Sequence, residues 1–194
     1  MSFDLQSYLK DTRDQFISAA TQKWPIDTSK DPQTIYKSME YSFLAPGKRI
    51  RPILSFATAE ALGLKFDDVL PIATSLEMIH VFSLIHDDLP AMDDDDLRRG
   101  QPTNHKVFGD AIAILAGDAL LNDAFLPLLD LNYQSFGVDA VFQVIRKVIS
   151  ATGTEGMIGG QVIDMESEGQ QIDLERLQKL QRYKTGALLS LIHI

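Results

Sequence analysis

The chain has 194 residues, 45% of them hydrophobic, which is enough for one sizeable core and too few to argue for two, so 1–194 is read as a single domain or part of one. Its formal charge is −9, but six acids (Asp87, Asp88, Asp93, Asp94, Asp95 and Asp96) lie within ten residues, and without them the balance is only −3. The acidity is one patch, which invites cations and disfavours nucleic acid, and the absence of cysteine excludes disulfides and thiolate metal sites.

Taken in chain order, Asp31-Pro32 reads as a helix cap followed by proline at the first helical position, with the helix running until Pro46-Gly47 breaks it. A second helix should start near Ile50 and stop near Gly63. Asp67 and Asp68 then offer caps for a long apolar helix, in which Val69, Ile72, Ala73, Leu76, Ile79, Phe82 and Ile85 recur at helical spacing. That helix delivers the chain into the aspartates. After a polar loop, Asp110 can cap a run from Ala111 to Leu131 that is apolar around most of its circumference and should be buried as a central helix. Further helices fit Val138 to Thr152, Thr154 to Ser167, and Leu174 onward with Asp173 as cap. No segment shows the period-two alternation of a strand, so the fold class is all-α. The N-terminus lacks a basic region followed by an apolar one, and no uncharged apolar stretch approaches the length of a membrane span. The expectation is a soluble, cytoplasmic protein with no membrane span.

The most informative stretch is His86-Asp87-Asp88-Leu89-Pro90-Ala91-Met92-Asp93-Asp94-Asp95-Asp96-Leu97-Arg98-Arg99-Gly100. Carboxylates this dense repel one another unless a cation neutralises them. Hard oxygen ligands suit Mg²⁺, which typically bridges one or two carboxylates to substrate phosphates, and Arg98 and Arg99 would clamp the phosphates. A solvated acidic loop is the bland alternative, but the arginines and the apolar helix leading in do not look like a floppy tail. An EF-hand loop fails for want of its central glycine and its glutamate at position twelve.

With these residues in view, the sequence resembles the polyprenyl synthetase family, whose first aspartate-rich motif, DDx(2-4)D, is followed by an Arg-Arg-Gly element. The resemblance covers Gly47 to Ala187 and rests on five elements in order. They are Gly47-Lys48-Arg49-Ile50-Arg51-Pro52, then Glu77-Met78-Ile79-His80, the aspartate stretch, Gly159-Gly160-Gln161, and Lys184-Thr185-Gly186. Lys48 and Arg51, three apart, should share a helix face on which two cations can grip one diphosphate, unless they are an ordinary solvated basic face. His80 lies two turns before Asp87, about 10 Å along the axis. A lone histidine is more often a satisfied core residue, so its role rests on the resemblance. The same holds for Gln161, for which a buried hydrogen-bonding role competes, while Gly159 and Gly160 suit close helix packing better than substrate contact.

The resemblance implies an isoprenoid synthase-type helical bundle around a central cavity and a Mg²⁺-dependent prenyltransferase. It implies that Asp87, Asp88 and Asp93 hold metal, that Arg98, Lys184 and Thr185 hold an allylic diphosphate, and that Gln161 is a further substrate-binding residue. Lys48, Arg51, His80 and Arg99, beside Gly47, would hold isopentenyl diphosphate. Phe82, with Ser83 beside it, lies five residues before Asp87, about 7.5 Å further down the helix, where an aromatic ring would floor the pocket that sets product length. With the insertion Pro90-Ala91 in the motif, this resembles bacterial farnesyl diphosphate synthases more than geranylgeranyl diphosphate synthases, so the implied product is C15 and the whole enzyme a homodimer. A terpene cyclase would not need the Gly-Lys-Arg element or His80, and a non-catalytic subunit would not need intact site residues.

The family also carries a second aspartate-rich motif, usually introduced by Phe-Gln, and none appears before the chain stops. The residues Leu189-Ser190-Leu191-Ile192-His193-Ile194 depart from the family's continuation, and their back-translation, CTG TCT CTT ATA CAC ATC, resembles the transposase adapter of sequencing libraries. The expectation is a C-terminally truncated chain with a non-native tail over 189–194, itself inactive for lack of the second motif and exposing apolar faces.

Overall fold

The computed structural model describes residues 3–191; residues 192–194 of the segment set apart above lie outside the described residues. The chain divides into two compact units, 1–130 and 131–194.

The first unit is helical. Helix α1 (Leu5–Lys23) was not expected from the sequence; its N-terminus is capped by Asp4, whose carboxylate accepts from the amides of Gln6 and Ser7 at 3.0 and 3.2 Å. It is followed by α2 (Gln33–Phe43), α3 (Ile50–Ala61) and α4 (Phe66–Asp87). The Asp31-Pro32 bond is cis, and Pro32 rather than Asp31 is the cap residue of α2. Asp67 and Asp68 lie in the first turn of α4 instead of capping it: the cap residue is Lys65, whose amide donates to Asp68 Oδ2 at 3.2 Å. Fourteen residues of α4, from Val69 to Ile85, are buried, and Leu76 and Ile79 are fully so. A chain of rings fixes the lower part of this core: Phe56 of α3 stacks on Phe66 of α4 at 4.2 Å and meets Phe16 of α1 at 6.1 Å.

A two-residue hairpin, β1 (Leu97–Arg98) with β2 (Gln101–Pro102), follows the aspartates, and among the described residues it is all the sheet there is. Then come α5 (Asn104–Phe108), α6 (Asp110–Asp123) and α7 (Phe125–Leu129). The single helix expected over Ala111 to Leu131 is thus broken at Ala124, and Gly109, not Asp110, is its cap residue. Its burial is also one-sided. Ala113, Ala116, Gly117 and Leu120 face the core, but Ile114 and Leu115 are exposed. Trp24 closes the unit by donating from Nε1 to Asp130 Oδ2 at 2.8 Å.

The second unit holds α8 (Tyr133–Phe136), α9 (Val138–Thr152), α10 (Met157–Ser167) and α11 (Leu174–Gln181), then a π turn (Arg182–Gly186) and α12 (Ala187–Ser190). Helix α9 has the expected bounds, and Asp173 caps α11 by accepting from Arg176 N at 2.7 Å. Val148, Ile163, Leu188 and Leu191 are buried, while Phe142, Ile149, Val162 and Leu174 are exposed. All-α is the class of the fold. Two helical segments, Phe66–Asp87 and Asp110–Leu129, are long and apolar enough by composition to cross a membrane, though neither is an uncharged stretch: Glu77 lies within the first and Asp118 within the second. The first is 72% buried within the protein, which marks it as a core helix.

Candidate active site

Helix α4 ends at Asp87, and the chain then folds back on itself. The amide of Asp93 donates to the carbonyl of Asp87 at 2.9 Å, and the amides of Met92 and Asp94 both donate to Leu89 O, at 2.8 and 3.1 Å. Asp94 takes a left-handed conformation (φ 49°) to complete the turn. The five residues between Asp88 and Asp94 therefore form a closed loop that keeps Asp93 against the end of the helix carrying Asp87. Thr103 fastens the far side: its amide donates to Asp96 O at 3.0 Å and its hydroxyl to Asp95 O at 2.8 Å, with His105 Nδ1 3.2 Å from that hydroxyl. Lys106 lies 2.6 Å from Asp96 and its hydrogen bond holds that carboxyl below the usual range.

The three expected metal ligands are not equivalent. Asp88 is buried, and Arg98 grips it with Nε at 2.8 Å from each carboxylate oxygen and with Nη2 on Oδ1. Arg98 also stands 3.6 Å from Asp95, so this expected phosphate ligand is engaged by the acidic loop itself. Asp93 is exposed and Asp87 half-buried, at the mouth of the loop. Among the described residues no three His, Asp or Glu side chains gather into a cage for an ion. The donor set is nonetheless all carboxylate oxygen, which fits a hard divalent cation held by one or two carboxylates and completed by phosphate and water.

The basic elements sit on the same unit, arranged differently from the expectation. Helix α3 begins only at Ile50 and Arg49 is left-handed (φ 51°), so Lys48 precedes the helix and shares no face of it with Arg51. Lys48 is exposed and Arg51 half-buried, and neither forms an ion pair among the described residues. Arg99, also left-handed (φ 54°), donates from Nη1 to Pro46 O at 2.8 Å. Gly47 makes room for it, since a Cβ there would stand 2.0 Å from the same nitrogen. His80 is pushed down to about 3 by burial and then by the charges of Arg51, Arg99, Arg49 and Arg98. The imidazole is therefore neutral at pH 7.

Phe82 packs in the core of α4 with its ring edge-on to His86, centroids 5.0 Å apart. Ser83 donates back to His80 O at 2.9 Å. His86 Nε2 lies 3.0 Å from Ile114 O and 3.8 Å from Asp118, against Gly117, whose missing Cβ leaves the space the ring occupies. A small cavity of about 40 Å³ is lined by residues including Val81, Ile85, Asp88, Arg98 and Asn104, and not by Phe82.

In the second unit Lys184 lies in the π turn and reaches Asp164 on α10 at 2.5 Å. Gly160 meets that turn at the main chain, where a Cβ would stand 2.2 Å from Lys184 N, in keeping with a packing role. Thr185 follows in the same turn, and Gln161 lies half-buried on α10.

Sequence reasoning assigned nothing to Arg49, Glu77, Thr103 or Asp164. Only Glu77 left a signal, as an isolated acid in an apolar helix that must find a cation if it is buried.

The family model described as "Polyprenyl synthetase" matches residues 32–193. The chain is 46% identical over 192 residues to the farnesyl diphosphate synthase of Bacillus subtilis (strain 168), covering 97% of this chain and 63% of the relative. It is equally similar, at 46% over 194 residues, to the large subunit 1 of the chloroplastic heterodimeric geranylgeranyl pyrophosphate synthase of Arabidopsis thaliana, of which it covers 51%. Among solved structures, an FPP/GFPP synthase from Zymomonas mobilis in its apo form superposes with a TM-score of 0.89 at 36% identity, covering 97% of this chain and 68% of the other. The chain spans less than two thirds of the length of these curated relatives. An apolar helix closed by an acidic loop, and a family match that runs through both units, place this chain in the polyprenyl synthetase family.

Proposed function

We propose that the protein to which this chain belongs is a Mg²⁺-dependent trans-prenyltransferase that condenses isopentenyl diphosphate with dimethylallyl or geranyl diphosphate to give farnesyl diphosphate. One observation carries the reading. Helix α4 carries His80, kept neutral by burial and by the charges of nearby arginines, and ends two turns later in the acidic loop that begins at Asp87, which supports reading the one as part of an anion site and the other as part of a cation site.

Asp87 and Asp93 are the carboxylates for the ion, with Asp88 anchored beside them by Arg98. Bound there, Mg²⁺ supplies charge neutralisation on the departing diphosphate of the allylic substrate. On the first unit, Arg98 is a ligand of the allylic diphosphate and Lys48, Arg51, His80 and Arg99 hold isopentenyl diphosphate; on the second, Lys184 and Thr185 are the allylic-diphosphate residues and Gln161 a further substrate-binding residue. Neutral His80 can donate one N–H to a phosphate oxygen, while the guanidinium groups carry the charge. Positive groups gathered on the leaving group act most where negative charge develops in the transition state.

The C15 length rests on Phe82 as the floor beneath the aspartates. A soluble cytoplasmic location and a homodimer of the whole enzyme belong to the same proposal. The direct test is binding of geranyl diphosphate to this chain with and without Mg²⁺. Binding that requires the ion and is lost in Asp87→Ala and Asp93→Ala is expected; binding indifferent to both would contradict the proposal.

A further inference from the structure

Arg49 stands in the middle of the Gly47–Pro52 element, yet it faces the interior. It is only 4% exposed, with Nη1 2.6 Å from Glu77 Oε1 and Nη2 donating to Phe43 O and Ala45 O at 2.6 and 2.7 Å. Both members of the pair are buried, at 2% and 3% side-chain exposure. A buried ion pair is poor value as a stabilising device, because desolvation offsets most of its attraction. A non-glycine residue in the left-handed region is likewise strained and persists only where its surroundings over-determine it.

The location explains the cost. Arg49 is the hinge between Lys48 and Arg51, and its carbonyl accepts the first bond of α3, from Ile53 N at 3.1 Å. Glu77 lies one turn before His80 on α4. Among the described residues theirs is the one ion pair that joins the start of α3 to α4. We propose that Arg49 and Glu77 are positioning residues that lock Lys48 and Arg51 in register with His80, so that the four-residue anion site is assembled before its ligand arrives. The pair touches no ligand itself. This inference deepens the site reading given above and rests on it.

Charge and position pull in opposite directions here, which makes the pair testable. Glu77→Gln removes a negative charge from beside a cationic cluster, so simple electrostatics tightens anion binding, whereas loss of the lock weakens it. The probe is inorganic pyrophosphate, titrated by calorimetry into the chain in the presence of a chelator. We expect Glu77→Gln to weaken binding about tenfold. Because that variant strands a buried guanidinium and can unfold, the double variant Arg49→Met with Glu77→Leu is measured beside it; apolar replacement of both partners preserves packing. It is expected to melt, by circular dichroism, at or above the temperature of Glu77→Gln and still bind about tenfold more weakly than the unaltered chain. Wild-type affinity or better in either folded variant would overturn the positioning role alone. Failure of the unaltered chain to bind pyrophosphate would remove the anion site itself, and this inference with it.

Discussion

Replacing Gly160 by alanine should destabilise the second unit, although alanine is the better helix former. A Cβ at this position on α10 would stand 2.2 Å from Lys184 N, 2.6 Å from Lys184 Cα and 2.8 Å from Tyr183 C. These are main-chain atoms of the π turn and cannot rotate away. Carbon contacts are favourable only near 3.5–4.0 Å, so α10 and the turn must part by roughly 1 Å. Overpacking of this kind costs about 1–3 kcal/mol, and a backbone obstacle belongs at the upper end. Alanine returns about 1 kcal/mol through helix propensity. The ion pair between Lys184 and Asp164 is only partly buried and adds a modest term that the substitution need not break. The net expectation is a loss of about 2 kcal/mol, or about 1 M in the urea midpoint for a slope near 2 kcal/mol/M. Gly186→Ala is the control: the nearest atom to its Cβ is Gln181 O at 3.5 Å, an ordinary contact, so its midpoint should hold or rise. A Gly160→Ala midpoint equal to or above that of the unaltered chain would refute the close-packing argument.

Other perturbations follow from the first unit. Asp88→Asn breaks the grip of Arg98 on a buried carboxylate; because Arg98 is partly solvated, the cost should be about 1–3 kcal/mol, read as a fall of several degrees in thermal melting. An unchanged melt would show that the pair holds nothing. His80 is held at about 3, so the unfolded chain takes up a proton near 6.5 that the folded chain refuses. Its contribution is intact above pH 6.5 and is lost as pH falls towards 3, by at most about 1.4 kcal/mol per unit. His80→Gln should therefore flatten the stability profile between pH 6 and 4.5, and identical slopes in the two proteins would refute the neutral imidazole. Phe82→Ala opens the core of α4 at a cost of about 3–5 kcal/mol and, if the ring is the floor, shifts the product of the complete enzyme from C15 towards C20. A chromatogram still showing only C15 would reject the floor.

Much of this architecture was legible in the residues. The bounds of α9 and the Asp173 cap of α11 follow from periodicity and capping chemistry, which are local. The apolar run of α4 announced both a core helix and its acidic terminus. The failures share a cause. The uniform apolarity of residues 111–131 says that a helix forms and not which side is covered, so the exposure of Ile114 and Leu115 was invisible. Helix α1 was overlooked because its apolar residues are few and thinly spaced among charged ones. At the site, spacing placed Lys48 and Arg51 on one helix face, but a left-handed Arg49 held by Glu77, 28 residues away, delays the helix start. The engagement of Asp88 by Arg98 likewise depends on the hairpin turning back, which no local pattern reports.

The central claim is tested most directly by condensation. This chain, and the same chain completed with the C-terminal portion of the Bacillus subtilis relative beyond the matched region, are each incubated with labelled isopentenyl diphosphate, geranyl diphosphate and Mg²⁺. The account predicts labelled farnesyl diphosphate from the completed protein, abolished by Asp87→Ala. A completed protein that folds and binds both diphosphates but forms no C15 product would contradict it.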